Sequence, residues 1–252
     1  MSWLSGQLKA LVAAMQFLTR FKMPDQEPPS PKVLHDSVRF YPVAGLALGC
    51  ALGLVALLAH VVYASSFVSA ILVVAVDAWL TGGLHLDGLM DSADGLLSYR
   101  SRERSLEIMR DSRVGAMAVI ALGCTLLLRV AALSAMPPLR LAAVAFFSPL
   151  FARALLLCTM RFTNLARDDG LGRSLAPAVD LPTALGSLIV ALALGWWLFG
   201  WNGLVAATVA VLGVSRVSSM AMQRLGGMTG DTYGASVEVS QVLLALALAV
   251  RG

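Results

Sequence analysis

Apolar residues fill this chain in long runs broken by polar gaps. A helix needs roughly 20 residues to cross the hydrocarbon core of a bilayer. Seven runs qualify, at about 43–64, 66–84, 112–136, 139–160, 183–201, 203–222 and 235–251. Two gaps, 85–111 and 161–182, are long and polar. The first 20 residues follow a different pattern: Trp3, Leu4, Leu8, Leu11, Val12, Met15, Phe17 and Leu18 give an amphipathic segment. It reads as an interfacial or half-inserted helix, with no small-residue site that would mark a cleaved signal. The pattern predicts an all-α, polytopic transmembrane bundle of about seven spans plus an N-terminal amphipathic helix. Residues 1–252 form a single membrane domain, with 1–42 as its interfacial segment and 85–111 as an acidic segment facing the cytoplasm.

Composition agrees. Of the 252 residues, 58% are apolar and 13% charged, and the mean hydropathy is +0.78. A soluble domain carries about 25% charge, so lipid is the expected outer solvent. The net charge of +4 is no sign of nucleic acid, because the basic residues lie in the gaps. With the N-terminus in the cytoplasm, the segments 1–42, 85–111, 161–182 and 223–234 hold most of the Lys and Arg, Arg173 among them. The far side keeps Arg140 and Arg251, with Arg129 in the outer half of a span. That asymmetry supports both the odd span count and the orientation. Cys50, Cys124 and Cys158 lie inside apolar runs, with neither metal-ligand spacing nor a disulfide pattern.

The chemistry concentrates in three stretches. In Asp77-Ala-Trp-Leu-Thr-Gly-Gly-Leu-His85-Leu-Asp87-Gly-Leu-Met-Asp91-Ser-Ala-Asp94-Gly95, three carboxylates recur at i, i+4 and i+7. On a helix they share one face. Like charges crowded at a membrane border repel one another, and a divalent cation relieves the repulsion. An oxygen-only ligand set beside a phosphate substrate favours Mg²⁺, with Mn²⁺ as a substitute, over zinc, and His85 is the one nitrogen ligand nearby. The second stretch runs from Arg100 to Gly115. Its Glu107 and Asp111, four apart, could face the first cluster, and Arg110 and Arg113 suit phosphate oxygens. The third is Gly226-Gly-Met-Thr229-Gly230-Asp231-Thr232-Tyr233-Gly234, followed by Glu238. Thr229 and Thr232 suit a phosphate or ribose, and Glu238 is an intramembrane charge. Arg153 lies inside the fourth span and is expected to meet an acid or a substrate phosphate.

The motifs Thr81-Gly-Gly-Leu-His-Leu-Asp87-Gly-Leu-Met-Asp91-Ser-Ala-Asp94-Gly95 and Glu107-Ile-Met-Arg-Asp111-Ser-Arg113-Val-Gly115 strongly resemble the cobalamin synthase family, the adenosylcobinamide-GDP ribazoletransferases. Phe17-Leu-Thr-Arg20, Phe40-Tyr-Pro42-Val-Ala-Gly45 and the Gly226–Gly234 motif with Glu238 extend the resemblance over nearly the whole chain. It implies a Mg²⁺-dependent enzyme of the bacterial inner membrane, with its active site facing the cytoplasm. Such an enzyme joins adenosylcobinamide-GDP to α-ribazole, or to its 5′-phosphate, and releases GMP. The partners are those substrates and the lipid bilayer, with no nucleic acid; a homo-oligomer is compatible with the sequence.

For that reaction, Asp87, Asp91, Asp94 and Asp111 are the expected metal ligands. Asp91, Asp94, Asp111 and Asp231 are the expected catalytic carboxylates, with Asp91, Asp111 and Asp231 as candidate proton acceptors. His85, Arg110, Arg113, Arg153, Thr229, Thr232 and Glu238 are the expected substrate contacts. Two other readings compete. Asp91-Ser-Ala-Asp94-Gly95 also resembles the opening of the CDP-alcohol phosphotransferase signature, but Ser98-Tyr99 stands where an Ala-Arg pair belongs. A secondary transporter would place its charges near mid-membrane, often within internal repeats, and the charges here gather on one face.

Overall fold

The computed structural model describes residues 2–23, 29–167 and 175–250; Arg173 and Arg251 lie outside these. The helices are α1 Ser2–Leu18, α2 Pro31–Ser37, α3 Tyr41–Tyr63, α4 Ser66–Thr81, α5 Leu84–Leu96, α6 Arg102–Ile108, α7 Ala116–Ser134, α8 Pro138–Phe162, α9 Leu181–Phe199, α10 Trp201–Leu225 and α11 Gly230–Ala249. Among the described residues the only β-type pairing is an isolated bridge between Leu165 and Met228. Among the described residues, six helical segments are long and apolar enough to cross a membrane: α2–α3 taken together, α7, α8, α9, α10 and α11. A seventh span arises if the bent pair α4–α5 is counted as one. The all-α polytopic reading therefore stands.

The bundle is built around α8, on which nearly every side chain from Leu141 to Met160 is buried. Its closest neighbour is α3, and the reason is legible in the sequence. Gly45, Gly49 and Gly53 recur every fourth residue along one face of α3. A Cβ on Gly45 would lie 2.6 Å from the Pro149 carbonyl, and one on Gly49 would collide with that of Phe146. With no aqueous hydrophobic drive between helices in lipid, such small-residue seams let backbones approach and gain van der Waals contact. The opposite faces of α3 and α9 carry exposed Leu, Val, Ile and Trp, among them Leu54, Leu58, Val61, Ile189 and Trp197. In a membrane protein these positions meet lipid.

The predicted second span is shorter than expected, because α4 stops at Thr81. Gly82 and Gly83 both take left-handed backbone, with φ of 65° and 72°, a conformation that costs glycine little and other residues much. The chain turns by 90° there. The α5 that follows leaves the axis of α4 at that angle. The segment just after α1 braces this elbow: the Arg20 amide donates to the Leu80 carbonyl at 2.5 Å, and the Arg20 guanidinium packs over Gly82. The helix α1, 17 residues long, packs against α2 and α3 through Ala10, Ala14 and Leu18. Succession along the antiparallel bundle puts the start of α3, the ends of α4, α8 and α10 and the starts of α7, α9 and α11 at this same end.

Candidate active site

The elbow lays α5 against the start of α11 in a tight seam. A Cβ on Gly88 would lie 2.8 Å from the Asp231 carbonyl oxygen, and one on Gly234 would lie 3.4 Å from the His85 backbone. Gly88 and Gly234 thus serve helix-to-helix approach. They bring Asp87 and Asp91 of α5 to Asp231 of α11, a pairing that sequence spacing could not show. The start of α11 is held by a reciprocal cap. The Thr232 amide donates to the Thr229 hydroxyl at 3.2 Å, and the Thr229 amide donates to the Thr232 hydroxyl at 2.7 Å. A clamp from the segment after α8 fixes the turn before it: the Met228 amide donates to the Asn164 carbonyl at 2.7 Å, and the Ala166 amide to the Met228 carbonyl at 2.8 Å.

Two cavities open beside this seam. The larger, about 460 Å³, is bordered by Asp87, Arg110, Arg167, Thr229 and Asp231, and by an apolar wall that includes Phe17, Tyr41, Leu156 and Met160. The smaller, about 260 Å³, is bordered by Asp87, Asp91, Asp94, Arg110, Asp111 and Arg113. Asp87 and Arg110 belong to both. Burial, and then repulsion from Asp87, Asp231 and Asp94, push the Asp91 carboxyl up to about 6, against a smaller opposing pull from Arg167. A carboxylate raised by burial and, next, by neighbouring carboxylates sits where positive charge is short.

The other expected residues fall into place unevenly. Asp94 lines the smaller cavity, and its carboxylate also caps α7, accepting the Gly115 amide at 2.7 Å and the Ala118 amide at 2.9 Å. Asp111 is held by Arg113, whose guanidinium and backbone hydrogen bonds lower its carboxyl to about 2. The closest contact of that pair is 2.6 Å. Glu107 does not join Asp111 on one helical face, because α6 ends at Ile108; it pairs instead with Arg104 at 2.7 Å in solvent. The hydroxyl of Thr232 is buried and engaged in the cap, while Thr229 borders the larger cavity. His85 borders that cavity as well, and Arg153 sits behind it with Nη2 3.3 Å from His85 Nδ1. A guanidinium only donates, so Nδ1 is the acceptor. Burial, and next the charge of Arg153, hold His85 neutral, well below its ordinary range.

Glu238 lies about two turns deeper than Asp231 and meets Arg129. The Arg129 guanidinium donates to Asp77 at 2.7 Å, to Gln241 at 3.4 Å and to Glu238 at 3.5 Å. Arg129, read from sequence as a lone positive residue toward the outer face, is the hub of a buried network linking α4, α7 and α11. Sequence reasoning also passed over Arg167 as merely basic. The signal for Arg129 was a single arginine within an apolar run, which rarely stands without a partner. Among the described residues, no three His, Cys, Asp or Glu side chains are gathered closely enough to hold a metal by themselves.

Comparison with known proteins settles the lineage. The family model described as cobalamin-5-phosphate synthase matches residues 10–249. This chain belongs to the cobalamin-5-phosphate synthase family. Among its relatives is the adenosylcobinamide-GDP ribazoletransferase of Desulfitobacterium hafniense (strain Y51), 37% identical over 95% of this chain and 96% of its own length. Those of Stutzerimonas stutzeri (strain A1501) and Roseiflexus sp. (strain RS-1) are 40% and 38% identical, over 95% and 94% of this chain and 98% and 88% of their own lengths. No solved structure matches significantly. The match runs from α1 to α11 and takes in every motif read from sequence.

Proposed function

We propose that this chain joins adenosylcobinamide-GDP to α-ribazole, or to its 5′-phosphate, releasing GMP, at the cytoplasmic face of a bacterial inner membrane. The observation that carries the reading is the convergence of Asp87, Asp91 and Asp231 with Arg110 and Arg167 around two adjoining cavities. Family membership supplies the substrates. The orientation is supported by the basic residues, which cluster at the cavity end of the bundle as cytoplasmic segments do.

The chemistry is an in-line displacement. A ribose hydroxyl of the acceptor attacks the phosphorus on the cobinamide side of the diphosphate. A new P–O bond forms, the bond to the GMP phosphate breaks, and the hydroxyl proton passes to a carboxylate. Asp231 is suited to receive it: it borders the larger cavity, and the Thr229 hydroxyl donates to its Oδ2 at 3.3 Å and orients it. Arg110, shared by both cavities, and Arg167 face the charge that grows on the phosphate oxygens.

The donor set fits Mg²⁺, with Mn²⁺ as substitute. Magnesium is commonly held by one or two carboxylates together with substrate phosphates. An all-oxygen cluster whose Asp91 is pushed upward by burial, and then by Asp87, Asp231 and Asp94, lacks the positive charge such an ion brings. Asp87 and Asp91 would hold it, with Asp94 and Asp111 bordering the same cavity. When bound, the ion neutralises the diphosphate. The test is GMP release from adenosylcobinamide-GDP by the purified protein, with and without α-ribazole and Mg²⁺. Release that requires both is expected. CMP release from a CDP-alcohol, with no GMP release, would overturn the reading.

A further inference from the structure

The larger cavity has two chemically distinct sides. Asp87, Arg110, Arg167, Thr229 and Asp231 make the charged side. Facing them, Leu18, Tyr41, Leu156, Met160 and Tyr233 belong to one continuous hydrophobic cluster, with Phe17 packed against it. Phe17 and Tyr41 stack with their centroids 6.0 Å apart and their planes inclined by 25°. This wall offers little hydrogen bonding. The Tyr233 hydroxyl is 3.1 Å from that of Thr163.

The geometry points to this wall as the seat of the acceptor's base, and to Phe17, Tyr41, Leu156 and Met160 as the residues that decide which bases are accepted. The inference rests on the proposed reaction and assigns one of its two substrates to one cavity. A cavity of about 460 Å³ lies in the range that encloses a single small ligand. A corrin macrocycle is too broad for it, so the donor can present only its nucleotide or diphosphate there. Guanine carries donors and acceptors around its edge, and a buried polar group left unmet is costly. A flat bicyclic base of the benzimidazole type, once joined to its sugar, carries no N–H and a single acceptor nitrogen, so it covers the wall at far less cost than guanine. With the base seated there, its ribose faces Asp231 and Asp87, where the hydroxyl must lose its proton. The donor's diphosphate then lies toward the smaller cavity, where Asp87 and Arg110 are shared.

The test uses the full-length enzyme in lipid nanodiscs, with GMP release as readout. Leu156→Phe shortens the chamber. It is expected to raise KM for α-ribazole about tenfold or more, the scale on which an apolar pocket distinguishes small changes in size. KM for adenosylcobinamide-GDP should stay within about twofold, and an acceptor carrying a smaller, unsubstituted benzimidazole should be affected less. A rise in the donor's KM with the acceptor's unchanged would place guanine in the chamber and overturn the assignment. Independently of any variant, the wild-type enzyme should prefer the benzimidazole nucleoside over the α-linked adenine nucleoside by about tenfold or more in kcat/KM; equal use of the two overturns it. If the wild type releases no GMP with any acceptor, the functional reading fails instead. Equilibrium binding of α-ribazole to wild type and Leu156→Phe then decides the base site on its own, and equal affinities would refute it.

Discussion

Arg129 of α7 reaches Asp77 of α4 across the interior of the bundle, Nη2 to Oδ2 at 2.7 Å, with the two side chains only 4% and 3% exposed. Glu238 and Gln241 of α11 complete the same cluster. The contact ties α4, which carries the elbow, to the helix that carries Asp231, so the acidic seam is fixed from below by charge as well as from above by packing.

Removing the hub should therefore destabilise the fold. Arg129→Met leaves Asp77 and Glu238 buried without their partner and should cost about 3–5 kcal/mol, the usual penalty for stranding a buried charge. The double change Arg129→Met with Asp77→Leu removes one stranded acid and should recover part of the loss. Thermal unfolding in nanodiscs measures both. A single variant as stable as wild type would contradict the network's role.

The seam should be sensitive to one carbon atom. Gly88→Ala places a Cβ 2.8 Å from the Asp231 carbonyl oxygen, and the only relief is separation of α5 from α11. Turnover is expected to fall about tenfold or more, with far less effect on the unfolding temperature. Gly123→Ala, on α7 with open space at its Cβ, is the control and should be neutral or slightly stabilising.

The carboxylates should rank by placement. Asp87→Asn, Asp91→Asn and Asp231→Asn should each lower kcat by about a hundredfold or more while the protein still folds. Glu107→Gln, at a solvent-exposed ion pair, should leave turnover within about twofold. Asp94→Ala should lose turnover and also about 1 kcal/mol of stability, because it removes the cap from α7. GMP release and unfolding of the same preparations separate these effects.

The pH dependence has a definite sign. The Asp91 carboxyl is raised in the fold to about 6 from 3.8, so the unfolded chain gives up that proton first. Between roughly pH 4 and 6 this group makes the fold less stable as pH rises, and the deficit persists above 6. In the absence of divalent cations, Asp91→Asn should therefore unfold at a higher temperature than wild type at pH 7, with the gap closing near pH 4. Added Mg²⁺ should raise the wild-type unfolding temperature at pH 7 and much less at pH 5, where Asp91 holds its proton.

Much was legible in the chain alone. Lipid solvent requires long apolar helices, so composition and run length announced the bundle, and the helical spacing of Asp87, Asp91 and Asp94 held because α5 is a helix. The glycine pairs were visible as residues, though their purpose was not. Whether Gly88 faces a ligand or another backbone depends on which helix lies opposite, and spacing along one helix carries no information about its neighbours. The same limit hid Arg129, whose partners stand 52 and 109 positions away in sequence, and the apolar wall that Phe17, Tyr41 and Met160 share although they sit on three different helices. Periodicity decides what each segment becomes. Only the way the segments pack decides which charges meet, and in a low-dielectric interior that meeting determines whether a buried ion pair or an open site results.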